Sequence, residues 1–121
     1  MPRRRTPAKG EIWHVNGDPV EGHEFKGAHY YLVLSERELV AAMGTAMCVP
    51  VTSGGAMARS KSTTVYIDGN STDTGKITGV ALCHQIRALD LVTRKGSYSC
   101  KAESQLVDEI IMMVVDLLDP R

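Results

Sequence analysis

From Glu103 to Leu118 the apolar residues Leu106, Val107, Ile110, Ile111, Val114, Leu117 and Leu118 recur at the spacing of one helical face, and Asp119-Pro120 stops the run. Everything upstream is broken into short β-prone segments by turn clusters. A chain with one long terminal helix after a series of short strands is constrained to a mostly β fold with α: a small antiparallel barrel or sheet capped by helices. Met112, Met113 and Val115 widen the apolar stripe beyond one face. That predicts a helix packed on two sides or contributing to a subunit interface, and favours a homodimer.

The strands are read from residue type and punctuation. Glu11 to Asn16 is rich in β-formers and ends at the Asn16-Gly17-Asp18-Pro19 turn cluster. A glycine-rich loop follows to about Ala28, longer than an ordinary connection and so the first place to look for a site. Tyr30 to Ser35 reads as a strand. Glu36 to Met43 reads as a short helix, with Ser35 as N-cap and Glu38 at the capping-box position. Further strands are expected at Met47 to Val51, Thr63 to Ile67, Gly79 to Ile86 and Leu89 to Val92, with a turn around Gly96. The total is five or six.

At 121 residues, 43% of them hydrophobic, the chain suits one domain. Residues 1–8, with two prolines and three arginines, read as a flexible basic arm, and 9–121 as a single domain. No apolar run approaches the roughly 18 to 20 residues that span a bilayer, and no apolar stretch backs the N-terminal charges. A non-exported, cytoplasmic protein is expected. Cys48, Cys83 and Cys100 are widely spaced and lack a zinc-ligand pattern, so they read as reduced structural thiols, with neither metal nor other cofactor expected. Formal net charge is zero, but Arg3, Arg4, Arg5 and Lys9 crowd one end while Glu103, Asp108, Glu109, Asp116 and Asp119 crowd the other. The basic arm is either a solvated end or a contact for phosphates.

Several segments together resemble a known family. Gly10-Glu11-Ile12-Trp13, Asp18-Pro19, Gly22-His23-Glu24 and Leu32-Val33-Leu34-Ser35 resemble, in order and spacing, the opening of MazF/PemK toxins. Val49-Pro50-Val51-Thr52-Ser53-Gly54-Gly55 with Ala58-Arg59, and Thr78-Gly79-Val80 leading to Gln85 and Arg87-Ala88-Leu89-Asp90, are similar to the PemK/Kid and ChpB branch. The resemblance runs from about Lys9 to Leu118. It implies an SH3-like barrel with short helices and a C-terminal helix, and a homodimer. It further implies the toxin of a type II toxin-antitoxin system: a metal-independent, sequence-selective endoribonuclease that cuts single-stranded RNA, inhibits translation and is neutralised by an antitoxin.

Metal-free RNA cleavage needs a base for the 2′-hydroxyl proton, an acid for the leaving 5′-oxygen and cations for the phosphorane charge. The family's acidic position before the late-strand glutamine is His84 here, and the arginine two residues earlier is Leu82. The glycine-x-arginine-proline stretch of another branch reads Gly27-Ala28-His29-Tyr30. Two imidazoles could replace the missing groups, since an imidazole can both take up and give a proton. His84 and His29 are therefore candidate acid and base, against the alternative of a half-buried His84 on the face of Val80, Leu82 and Ile86.

By the resemblance, His23 contacts the scissile region and Glu24 orients it. Thr52 and Ser53 end a strand where hydroxyls can hold phosphate. Arg59 is the leading phosphate cation, with Lys61 second. Gln85 and Arg87 are candidates for a base edge or phosphate, Arg87 also for pairing with Asp90. One of Tyr30 and Tyr31 could stack a splayed base, or one could pack inward and the other outward. His14 reads as solvated. Two other readings fit the same fold: a CcdB-like toxin directed at gyrase, and an inactive barrel that binds RNA or antitoxin as a regulator.

Overall fold

Strand β1 spans Glu11–Asn16 and pairs antiparallel with β2, Ala28–Val33, placing Trp13 opposite Tyr31 and Val15 opposite His29. The computed structural model describes residues 5–24, 26–52 and 62–120. Helix α1 (Arg37–Met43) leads to β3 (Ala46–Thr52), followed by β4 (Thr64–Ile67), β5 (Gly79–Leu82), β6 (Arg87–Leu89), β7 (Ser97–Lys101) and the terminal helix α2 (Ser104–Leu118). The sheet runs β4-β5-β3-β2-β1-β7, with β6 also paired to β3.

The expected barrel is present as a curled antiparallel sheet whose ladder does not close. Its two edges, β4 and β7, are joined by the segment after β4: Thr72 bridges Ala102, Asp73 N–H donates to Lys101 O, and Glu103 N–H donates to Ser71 O.

Both faces of the sheet carry a core, which is why β1 shows little alternation. Ile12, Leu32, Val49, Val51, Val65 and Ile67 pack on one face against Leu106, Val107, Ile110 and Val114 of α2. Each of those helix side chains contributes roughly 1.5–3 kcal/mol by leaving water. Trp13, Val15, Tyr31, Val33, Cys48 and Leu89 face the other way and are covered by Val40 of α1 and by Leu91. The far side of α2 leaves Met112, Val115, Leu117 and Leu118 exposed.

Four readings need correction. Ser35 does not cap α1: its hydroxyl accepts the N–H of Met47, and the N-cap is Glu36, without a side-chain cap bond. Gly79–Ile86 is not one strand, because β5 ends at Leu82 and a 3-10 turn, Cys83–Gln85, follows. The strand expected at Leu89 to Val92 lies earlier, at Arg87–Leu89. Ser97–Lys101 is a seventh strand that hydrophobic pattern does not reveal.

Within the segment expected as a basic arm, Pro7 is buried and Arg5 makes specific contacts. The Arg5 guanidinium sits 3.8 Å from the Tyr98 ring centroid and donates to Glu11 Oε2 from Nε at 3.1 Å and Nη2 at 2.8 Å. Glu11 is itself buried beneath it.

Candidate active site

The break between β5 and β6 creates the first part of the site. Ala81 pairs with Val51 and Arg87 with Cys48, so two residues of β3, Val49 and Pro50, face five, Leu82 to Ile86. The three surplus residues are extruded as the turn Cys83–Gln85, in the manner of an enlarged bulge. Cys83 points into the core and His84 into solvent. His84 is therefore exposed on a turn, and the reading of a half-buried strand histidine is corrected.

Gln85 ties this turn to the glycine-rich loop, donating from Nε2 to the main-chain O of His23 at 3.1 Å. The same amide nitrogen lies 3.4 Å from His84 Nε2, a long contact in which the ring nitrogen accepts. His23 and Glu24 are both exposed at the loop tip. Glu24 Oε1 accepts the N–H of Glu21 at 2.5 Å, and the Glu24 N–H returns a bond to Glu21 O at 3.1 Å, so the loop carries its own small staple.

Strand register supplies the rest. Tyr30 pairs with Val51, which brings His29 into line with Thr52, and pairs across a sheet share a face. Tyr31 lies on that face too, as do Cys48 and its partner Arg87. His29 Nε2 is 2.6 Å from the carbonyl O of Lys26. Because a carbonyl only accepts, that nitrogen is protonated, and in the neutral ring the basic lone pair is on Nδ1. Thus His29, Thr52 and Arg87 share one face, and the loop bearing His23 and Glu24 is bonded to the turn bearing His84.

Arg87 does not pair with Asp90. Its Nη1 donates to Gly17 O at 2.9 Å, beside the buried Tyr31 hydroxyl. Asp90 is engaged by the N–H and hydroxyl of Thr93, both at 2.9 Å, which hold its carboxyl below the usual range. Tyr31 packs inward; burial pushes its phenol up, opposed by the Arg87 charge. Tyr30 faces outward, edge-on to His14 with ring centroids 5.0 Å apart, so His14 is exposed but not merely solvated. Ser53, Arg59 and Lys61 lie outside the described residues.

Sequence reasoning missed Arg94, whose Nη1 donates to Asn16 O at 3.2 Å and Asp18 O at 2.6 Å. The Asp90–Thr93 turn that carries it falls where the sequence predicts a strand, and its acceptors lie more than seventy positions away. The thiols offer no nucleophile. All three are buried, and burial pushes Cys48 up to about 12 and Cys83 to about 11. Among the described residues no three His, Cys, Asp or Glu side chains cluster as a metal set, and no helix is long and apolar enough to cross a membrane.

A curled antiparallel sheet with a C-terminal helix, carrying histidines and a strand-end threonine about a glycine-rich loop, defines a class of small single-sheet proteins with solvent-facing acid-base groups. Known proteins make the class specific. Residues 8–118 match the family described as PemK-like, MazF-like toxin of type II toxin-antitoxin system. Endoribonuclease PemK of Escherichia coli is 33% identical over 109 residues, covering 90% of this chain and 80% of that protein. Endoribonuclease toxin ChpB of Escherichia coli strain K12 is 29% identical over 112 residues, 93% of this chain and 94% of that one. The crystal structure of MazF from Deinococcus radiodurans superposes with a TM-score of 0.83 at 25% identity, covering 95% of this chain and 98% of that chain. MazF in a MazE-MazF complex from the same organism superposes with a TM-score of 0.76 at 24% identity, covering 94% and 97%. The chain belongs to the PemK-like, MazF-like toxin family.

Proposed function

We propose that this chain is the toxin of a type II toxin-antitoxin system, an endoribonuclease that cuts single-stranded RNA selectively and without a metal ion, and so inhibits translation. The observation that carries the reading is the joining of the His84 turn to the His23 loop by Gln85, with His29 and Thr52 in register on one face. Family membership and the endoribonuclease names of PemK and ChpB support it.

In this reading one imidazole takes the proton of the 2′-hydroxyl, whose oxygen attacks the adjacent phosphorus. The second gives a proton to the departing 5′-oxygen, leaving a 2′,3′-cyclic phosphate and a 5′-hydroxyl. His84 and His29 are these two groups: the contact from Gln85 leaves His84 Nε2 unprotonated, and the bond to Lys26 O holds a proton on His29 Nε2. Thr52 and Ser53, with Arg59 and Lys61, hold the phosphate; His23, Glu24 and Gln85 orient the RNA, and Tyr30 offers a stacking surface.

The working unit is a homodimer with exposed apolar groups of α2 at or near its interface, and an antitoxin covers the RNA face. MazE, crystallised with MazF, supports a partner of that kind. The setting is the cytoplasm, where its RNA substrate is made and translated.

Cleavage of a long single-stranded RNA in EDTA, by wild type, His84→Ala and His29→Ala, tests this. Cutting by wild type and loss in both variants are expected. Cutting indifferent to both substitutions removes the histidine pair, and no cutting by folded wild type removes the ribonuclease.

A further inference from the structure

The loop that carries His23 and Glu24 is anchored at its neck by two arginines that donate to main-chain carbonyls. Three successive carbonyls, of Asn16, Gly17 and Asp18, leave β1 as the chain turns. Arg94 takes the first and third, and Arg87 the second. The other bonds across the neck are few: Gly17 N–H to Gly27 O at 3.0 Å, and Gly27 N–H to Asp18 Oδ1 at 3.0 Å. Gly22 and Gly27 both adopt positive φ, so bonds rather than local chain preference set the loop's angle to the sheet.

Arg94 is presented by a turn built for the purpose. Asp90 accepts from Thr93 twice, Arg94 N–H donates to Asp90 O, Lys95 adopts a φ of 59°, and Gly96 N–H closes on Leu91 O at 2.7 Å. A guanidinium is the group that can bridge two main-chain carbonyls while staying charged and planar. Both acceptors are neutral carbonyls reached from the single nitrogen Nη1, and the Arg94 charge also acts on Asp90, four residues back on the same turn.

We infer that Arg94 is a positioning residue, setting the angle of the Gly17–Gly27 loop and thereby the placement of His23 and Glu24, without touching RNA itself. The catalytic part of this inference rests on the proposed ribonuclease function; the clamp does not. Groups held about 1 Å out of place lose up to about a hundredfold in rate. Loss of one of two anchoring arginines is expected to cost about tenfold.

The test compares wild type, Arg94→Ala, Arg94→Gln and Arg94→Lys for single-stranded RNA cleavage, and for hydrogen exchange at the Gly17 and Gly27 amides. A clamp predicts kcat about tenfold lower in Arg94→Ala with KM nearly unchanged, faster exchange at both amides, and only partial recovery with lysine, whose point charge lacks the planar fork. The salt dependence of KM stays as in wild type. A raised KM whose dependence on log salt falls by about 0.7, the loss of one single-strand phosphate contact, overturns the inference in favour of direct RNA binding. Unchanged exchange and unchanged kcat overturn it outright. Should Arg94→Ala melt early, Arg94→Gln, which retains length and one donor group, decides by the same readouts. Wild type that cuts nothing defeats the proposed function, and exchange at the two amides then judges the clamp alone.

Discussion

The side-chain amide of Gln85 donates to the main-chain carbonyl of His23 at 3.1 Å, across 62 positions of sequence. That bond joins the turn extruded between β5 and β6 to the tip of the glycine-rich loop. Gln85 is only half-buried, so its truncation should leave the melting transition within about 0.5 kcal/mol of wild type. Gln85→Ala is expected to lower kcat/KM for RNA about tenfold, the scale of one lost orienting hydrogen bond. Cleavage assays beside urea melts check both halves of this. A large stability loss with proportionate activity loss would show that the glutamine serves the fold instead.

Glu11 invites a stability prediction. Its Oε2 accepts from Arg5 Nε and Nη2, while Oε1 accepts from Ala8 N–H at 3.0 Å and Trp13 Nε1 at 3.1 Å. A glutamine has one oxygen and would turn its NH2 toward one of these pairs of donors. Glu11→Gln should therefore cost about 2 kcal/mol at neutral pH, read from urea unfolding. Burial pushes the Glu11 carboxyl up, but the bonds from Arg5, Trp13 and Ala8 and the Arg5 charge outweigh it, and the net shift is downward. A depressed folded pKa means stability that is present above the unfolded value of about 4.3 and lost as pH falls through the folded one. The gap between wild type and variant should narrow on acidification through that window; a constant gap would remove the carboxylate's charge from the explanation.

Some of this architecture can be read along the chain and some cannot, for physical reasons that differ by element. Helix α2 is legible because a helical face repeats every few residues whatever it packs against. Strand β1 is legible by composition, although its burial on both faces erases alternation. Strand β7 is hidden: Ser97-Tyr98-Ser99-Cys100-Lys101 is polar, and only pairing with β1 at the sheet's edge makes it a strand. Ser35 looks like a helix cap because its neighbours are helix formers, but Met47 N–H, twelve positions on, competes for the hydroxyl and wins. In the candidate site the histidines and Thr52 are legible as residue types, and the resemblance gives them order. The extrusion of His84 is not, since it follows from the unequal lengths of two segments pairing with one strand. The arginines at the loop neck are invisible for the same reason as most tertiary contacts: carbonyl acceptors carry no sequence signature.

Gly79 couples the candidate site to the fold most directly. Its φ is 154°, and an added Cβ would collide with the carbonyl O of Thr52, the residue opposite Val80 where β3 meets β5. Backbone on both sides is fixed by the ladder, so neither partner can move aside cheaply. Gly22 provides the comparison: its φ of 59° is in the left-handed region that a side chain enters at modest cost, and its Cβ position has nothing within 4 Å. Gly22→Ala should thus pay for conformation alone, about 1 kcal/mol, whereas Gly79→Ala adds the collision and should cost about 2–4 kcal/mol. Urea midpoints of the two variants measure the difference. Because the collision displaces Thr52, residual folded Gly79→Ala should also bind single-stranded RNA several-fold more weakly than Gly22→Ala does. Equal losses of stability in the two variants would mean that β3 and β5 can part at Thr52 without cost, and that the threonine is not held where the register places it.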